Sequence, residues 1–178
     1  MKNAEIIRRA AKKIKLLVLD VDGVMTDGSI ILDNNGNEYK AFYVRDGHGI
    51  RMLIEAGITV AIITGRSSKV VVQRAAELGI TEVFQQCFDK RVAFKKLLKK
   101  YALADTEVAY VGDDIVDLPI MVRVGLPVAV ADATAEVKKM ACMTTNNQGG
   151  RGAVREVTDL ILKAKGLWKD RLSEYLTA

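Results

Sequence analysis

The chain has 178 residues, 49% of them hydrophobic, with 27 Lys plus Arg against 22 Asp plus Glu and a formal net charge of +5. This length suits one domain with a sizeable core, and a small, dispersed basic excess reads as solvated surface rather than a nucleic-acid patch. Cys87 and Cys142 lack metal-ligand spacing and His48 is the only histidine, which argues against structural zinc and for a reducing compartment.

In segment 1–15, Ile6, Ile7, Ala10, Ala11 and Ile14 recur at helical spacing with Arg and Lys between them. The pattern predicts an amphipathic helix lying on the domain, not a signal peptide. No apolar run approaches membrane-spanning length, and a cytoplasmic location is expected. Leu16-Leu17-Val18-Leu19 then reads as a buried strand over 16–20. Residues 28–44 predict a hairpin, with arms 29–32 and 38–44 around Asn34-Asn35-Gly36-Asn37, since Asn-Gly is a strong hairpin signal. Its arms carry Ile30, Ile31, Leu32, Tyr39, Phe42 and Tyr43. A two-stranded ribbon that apolar is marginal alone, and a neighbouring subunit is the economical cover.

From there strands and helices alternate. The pattern predicts a helix over 46–56, a strand over 58–63, a helix capped by Ser67 and stopped by Gly79, and a strand over 82–84. A helix capped by Asp89 follows, then a strand over 107–111, a short helix near 116–123 and a strand over 126–130. A short helix over 136–140, a small strand near 142–144 and a helix over 153–164 complete the alternation, with one further helix over 167–178. Such alternation implies an α/β fold: a doubly wound, Rossmann-like, three-layer parallel sheet. The expected organisation is a single domain over 1–178, with the hairpin as an insert at 28–44 and a tail over 166–178.

Two acidic clusters stand at predicted strand ends: Asp20-Val-Asp22-Gly-Val, and Gly112-Asp113-Asp114-Ile-Val-Asp117. Open parallel sheets place ligands there. Five carboxylates at one edge repel one another, and a divalent cation offsets that; all-oxygen ligands favour magnesium. Asp20 and Asp22 are two apart, so their side chains point the same way, and one carboxylate could attack an electrophile while the other moves a proton. Thr64-Gly65-Arg66 ends a strand before a helix, an arrangement that suits anion binding, although Thr64 could equally begin a plain strand-to-helix turn. Lys90 opens a helix, where the macrodipole disfavours a cation; it is either an exposed lysine or the partner of a carboxylate or phosphate. Asp114 and Asp117 also suit helix capping, but three acids in five residues exceed what a cap requires.

Taken in order, these segments resemble the four motifs of the haloacid dehalogenase superfamily, in its phosphatase branch. Asp20-x-Asp22-Gly-Val is similar to the first motif, Thr64 to the second, Lys90 to the third and Gly112-Asp113-Asp114-x-x-Asp117 to the fourth. The resemblance implies Asp20 as a nucleophile that becomes an aspartyl-phosphate and Asp22 as general acid and base. It implies Mg2+ on Asp20, the Asp22 backbone carbonyl and Asp113, Thr64 and Lys90 on phosphoryl oxygens, and Asp114 and Asp117 around the metal shell and Lys90. Too few residues separate Asp22 from Thr64, or Thr64 from Lys90, to hold a large cap domain.

Finer matches lie at Val44-Arg45-Asp46-Gly47-His48-Gly49-Ile50, Ala61–Arg66, Ala109–Asp114 and Gly149-Gly150-Arg151-Gly152-Ala153-Val154-Arg155-Glu156. They resemble the capless family acting on 3-deoxy-D-manno-octulosonate 8-phosphate in lipopolysaccharide precursor synthesis. That resemblance implies a homotetramer whose hairpins form a central barrel and whose sites are completed by neighbours. It also implies substrate contacts by Gly65, Arg66, Arg151 and Arg155, although Arg155 could instead pair with Glu156 or Asp159 on its helix. Gln86 stands where relatives carry Gly. The alternatives are a nine-carbon sialic-acid-type 9-phosphate substrate, a non-catalytic oligomerisation domain and a phospho-receiver domain. Arg66 disfavours the first, since such relatives tend to have Glu there. The intact Asp20, Asp22 and Lys90 disfavour the second, and the order of the motifs disfavours the third.

Overall fold

The computed structural model describes residues 2–176. Residues 1, 177 and 178, which belong to the predicted terminal helices, lie outside the described residues.

Helix α1 (Lys2–Lys13) leads into strand β1 (Leu16–Leu19), which is buried at every position. The hairpin strands β2 (Ile31–Leu32) and β3 (Glu38–Tyr39) precede α2 (Val44–Glu55), β4 (Thr59–Ile63), α3 (Lys69–Leu78) and β5 (Glu82–Phe84). Then come α4 (Lys90–Tyr101), β6 (Val108–Gly112), α5 (Leu118–Met121) and β7 (Leu126–Ala129). The chain ends with α6 (Ala135–Met140), β8 (Met143–Thr144), α7 (Ala153–Ala164) and α8 (Trp168–Leu176).

Six strands form one parallel sheet in the order β5-β4-β1-β6-β7-β8. One helix group (α1, α2, α3 and α7) and another (α4, α5 and α6) cover it, giving the expected three-layer α/β architecture. The near-continuous apolar runs of β1, β4 and β6 are those of strands buried on both faces. From β1 the chain winds outward through β4 and β5, then returns to lay β6 against the other side of β1. The strand order therefore reverses between β1 and β6, and the register sets Leu19 beside Val111, so both acidic clusters leave the sheet at the switch point.

Most boundaries differ from expectation by a residue or two, and the far hairpin arm by five. Helix α3 begins after Ser68 rather than Ser67. The far hairpin arm, expected over 38–44, ends at Tyr39: pairing is confined to Ile31 with Tyr39 and Leu32 with Glu38, and residues 40–43 lead irregularly into α2. The Asp33 carboxylate organises the turn by accepting from the backbone N–H groups of Asn35 and Asn37. The ribbon's Ile30, Ile31, Leu32 and Tyr39 are all exposed, whereas Phe42 packs against the core.

The tail helix α8 packs on α7 and buries none of its own residues. His48 meets Tyr175 edge-on at 5.4 Å between ring centroids, and Lys163 sits 4.6 Å from the Trp168 ring centroid. His48, on α2, is thus a packing residue.

Candidate active site

Asp20 follows β1 directly, with its N–H donating to the Val111 carbonyl on β6. After it the chain folds into a tight turn, in which the N–H groups of Val24, Met25 and Thr26 all point to the Val21 carbonyl. Gly23 sits at φ +89°, and a Cβ there would stand 2.1 Å from a carboxylate oxygen of Asp113. That glycine lets the two acidic loops approach each other.

Asp117 is fully buried and organises the second cluster. One of its oxygens accepts from Lys90 Nζ at 2.6 Å and from the Tyr110 hydroxyl at 2.6 Å. The other accepts from the backbone N–H of Asp113 at 3.0 Å and lies 3.4 Å from that of Asp114. Lys90 reaches this centre because Asp89 caps α4, accepting from the Arg91 N–H and turning the next side chain inward. Its Nζ also lies 3.0 Å from Asp20. Lys90 is therefore the buried partner of two carboxylates, not a surface lysine. Asp114 caps the 3-10 turn that follows, accepting from the Ile115 N–H, and is exposed.

Carboxylate oxygens of Asp20, Asp113 and Asp117 lie within 4.8 Å of one another. Both Asp117 oxygens already accept hydrogen bonds, which leaves Asp113, and Asp20 beside its contact with Lys90, as the candidate metal donors. Burial, then the Asp117 charge, pushes the Asp20 carboxyl up to about 6, against the opposing pull of Lys90. Burial, then the Asp117 and Asp20 charges, pushes Asp113 up to about 7. Burial alone would push Lys90 down, but Asp20 and Asp117 reverse that and leave it raised. Two oxygen donors held together against their own repulsion fit a hard divalent cation such as magnesium.

Thr64 directly follows β4, with its N–H bonded to the Phe84 carbonyl and its own carbonyl accepting from the Cys87 N–H. Its hydroxyl accepts from the Arg66 N–H at 3.4 Å, and α3 starts only at Lys69. Gln86, within this loop, adopts φ +56°. The left-handed backbone explains why a glycine suits the position; Gln takes it at some strain.

A cleft of about 270 Å³ brings together Asp20, Asp22, Thr64, Gly65, Arg66, Lys90, Asp113 and Asp114, with Cys87, Phe88 and Val116 as its apolar wall. Phe88 is 92% exposed at the rim, so one side of the opening is a bare aromatic face. Arg151 and Arg155 are not in this cleft. They line a separate hollow of about 380 Å³ together with Tyr43, Arg45, Asn146 and Asn147. Arg155 donates to Asp159 at 2.7 Å, the ion pair weighed from the sequence, and Arg151 lies 3.6 Å from Asp27. Glu156 instead accepts from the backbone and side-chain amides of Asn146 and Asn147, which gives that dipeptide its structural task.

Several contributors were invisible in the sequence. Tyr110 read only as a buried strand residue, yet its hydroxyl holds Asp117. Glu38 and Lys40 read as hairpin residues, yet both reach the Asp22–Arg66 pair. Asp46 is buried and accepts from the N–H groups of Gly152 and Arg155, fixing the start of α7. Gly149 packs against the turn after Asp20 so closely that a Cβ would stand 1.8 Å from the Gly23 carbonyl oxygen. A glycine pair beside an arginine was the one available signal for that contact.

The model of the haloacid dehalogenase-like hydrolase family matches residues 70–157, a stretch that includes Lys90 and the second acidic cluster. The chain is 54% identical over 164 residues to 3-deoxy-D-manno-octulosonate 8-phosphate phosphatase KdsC of Escherichia coli K12, covering 92% of this chain and 87% of the relative. The crystal structure of that phosphatase from Yersinia pestis superposes with a TM-score of 0.92 at 51% identity, over 93% of this chain and 89% of the other. The Moraxella catarrhalis phosphatase, solved with magnesium, phosphate and KDO, gives a TM-score of 0.93 at 43% identity, over 95% and 97% of the two chains. The chain belongs to the haloacid dehalogenase-like hydrolases, in the family of the 3-deoxy-D-manno-octulosonate 8-phosphate phosphatases.

Proposed function

We propose that this chain hydrolyses 3-deoxy-D-manno-octulosonate 8-phosphate to the free sugar acid and phosphate, through an aspartyl-phosphate on Asp20, in lipopolysaccharide precursor synthesis. The observation that carries the reading is the Asp20–Lys90–Asp117 constellation, with Asp113 alongside, at the switch point of a chain 54% identical to such a phosphatase.

An Asp20 oxygen attacks phosphorus, and the bond to the sugar C8 oxygen breaks with its electron pair leaving on that oxygen. Asp22 protonates it. Water then attacks phosphorus and gives a proton to Asp22, and the bond to Asp20 breaks with its electrons returning to the carboxylate. Lys90, Thr64 and Gly65 bind phosphoryl oxygens. Asp117 holds Lys90 in place, and Asp114 shapes the loop around Asp113. The Asp20 and Asp113 carboxylates and the Asp22 backbone carbonyl would hold Mg2+, whose charge would offset the repulsion between a carboxylate nucleophile and a phosphate dianion. Arg66 lines the cleft and suits the substrate carboxylate through its planar fork. Arg151 and Arg155 belong to the proposal as contacts made in a neighbour's cleft, since they line a different hollow of their own chain.

The exposed apolar hairpin supports a homotetramer built around these ribbons. Among the described residues no helix is long and apolar enough to cross a membrane, and a cytoplasmic single-domain enzyme is part of this reading. The test is phosphate release from the eight-carbon substrate with magnesium, beside a nine-carbon 9-phosphate and an Asp20→Asn control. Turnover of the eight-carbon substrate that vanishes with the substitution is expected. Release from the nine-carbon ester alone would move the substrate, and release independent of Asp20 would sink the mechanism.

A further inference from the structure

The hairpin does more than present apolar surface. Lys40, just past β3, has a side chain only 1% exposed, with its ammonium paired to Oδ1 of Asp22 and 3.5 Å from Glu38. Glu38 in turn takes Arg66 Nη2 at 2.8 Å, and Arg66 Nε lies 3.5 Å from Oδ2 of Asp22. Two acids and two bases thus join the ribbon to the catalytic turn.

A lysine is almost never buried without a task, and a buried ion pair by itself adds little to stability. Free rotation would let the Asp22 carboxylate turn either oxygen anywhere in the cleft mouth. Lys40 takes one oxygen and leaves the other beside Arg66, a wall of the cleft. We infer that Lys40 is a positioning residue for the proton-transferring carboxylate: it holds Asp22 so that Oδ2 faces the leaving oxygen of the substrate. The hairpin is then part of the catalytic apparatus of its own subunit, whatever it contributes to assembly. This rests on the reading of Asp22 as general acid.

The test exploits leaving groups. A sugar alkoxide needs a proton to depart, whereas p-nitrophenolate does not. First-turnover release of sugar and of p-nitrophenolate would be measured for wild type, Asp22→Asn, Lys40→Met, Lys40→Gln and Lys40→Arg, with folding checked by circular dichroism. In Lys40→Met the ratio of sugar to nitrophenolate release should fall at least tenfold, in the direction of Asp22→Asn, with little change in KM. Lys40→Arg should recover most of the ratio. If Lys40→Met does not fold, Lys40→Gln is read in the same way. An equal fall in both rates would make Lys40 structural, and a rise in KM for the sugar phosphate alone would make it a substrate contact; either result overturns the inference. If Asp22→Asn itself leaves the ratio unchanged, the general-acid reading fails instead, and the Lys40 inference falls with it.

Discussion

The switch-point edge of the sheet and the hairpin both carry charged side chains toward the same cleft, but they are built in opposite ways. At the edge, Asp20, Lys90, Tyr110 and Asp117 are buried, and Asp117 is satisfied by donors from its own chain. In the hairpin, ladder pairing is limited to two residues on each strand, the apolar side chains face outward, and the polar anchor is the Lys40–Glu38 connection to Asp22 and Arg66. A network in the interior is held by the fold's core and tolerates little change. A ribbon held at a few points takes its remaining order from whatever covers it.

Removing the proposed nucleophile should separate the two regions most strongly. Asp20→Asn is expected to lower kcat by at least about 10³-fold while leaving the fold intact, as read by phosphate release and far-UV circular dichroism. Activity within tenfold of wild type would place the chemistry elsewhere.

Next come the two lysines. Lys90→Met strands the buried Asp20 and Asp117 carboxylates and should cost about 3–5 kcal/mol in denaturant unfolding. Lys40→Met, whose acidic partners Asp22 and Glu38 keep 21% and 18% of their side chains exposed, should cost less than about 2 kcal/mol. Equal costs would erase the distinction between a buried network and a tethered ribbon.

The third contrast is with pH. Asp20 at about 6 and Asp113 at about 7 both lie above the ordinary 3.8. Between these values the folded chain holds protons that the unfolded chain has released. Without metal, this stabilisation is complete below the unfolded value and is lost as pH rises through about 6 and 7. Magnesium should therefore raise Tm more at about pH 8 than at about pH 5. A shift independent of pH, measured by calorimetry, would remove Asp20 and Asp113 as the metal's ligands.

On the hairpin, Ile31→Lys with Leu32→Lys should shift the mass seen by light scattering toward monomer. Unfolding stability of that monomer should stay within about 0.5 kcal/mol of wild-type monomer, since both positions are exposed. An unchanged assembly would show that the ribbons do not hold subunits together. The smallest effect belongs to Gln86→Gly, which relieves a left-handed backbone at the cost of chain entropy. It should stabilise by no more than about 1 kcal/mol, detectable as a small rise in Tm.

Much of the buried edge was legible from sequence because each local rule pointed the same way. Leu16–Leu19 and Val108–Val111 are unbroken apolar runs, and a strand buried on both faces leaves no other choice. The acidic residues just beyond them had to emerge at the strand ends. Lys90 was ambiguous: its sequence neighbours say surface helix, and only the packing of α4 against α5 brings Asp117, just before α5, to it. Arg155 was ambiguous for the opposite reason, since its partner Asp159 lies on the same helix and needs no tertiary contact.

Burial and periodicity act locally along the chain, so the alternation of strands and helices, the parallel sheet and the two acidic clusters follow from the residues alone. Tertiary structure decided which groups meet. It placed Tyr110 and Lys90 on Asp117, Gly149 against Gly23, and Lys40 on Asp22. It also put Arg151 and Arg155 in a hollow apart from Asp20. Most of those pairings join residues far apart in sequence, and their geometry follows from how helices and loops pack on the sheet rather than from the propensity of any one segment.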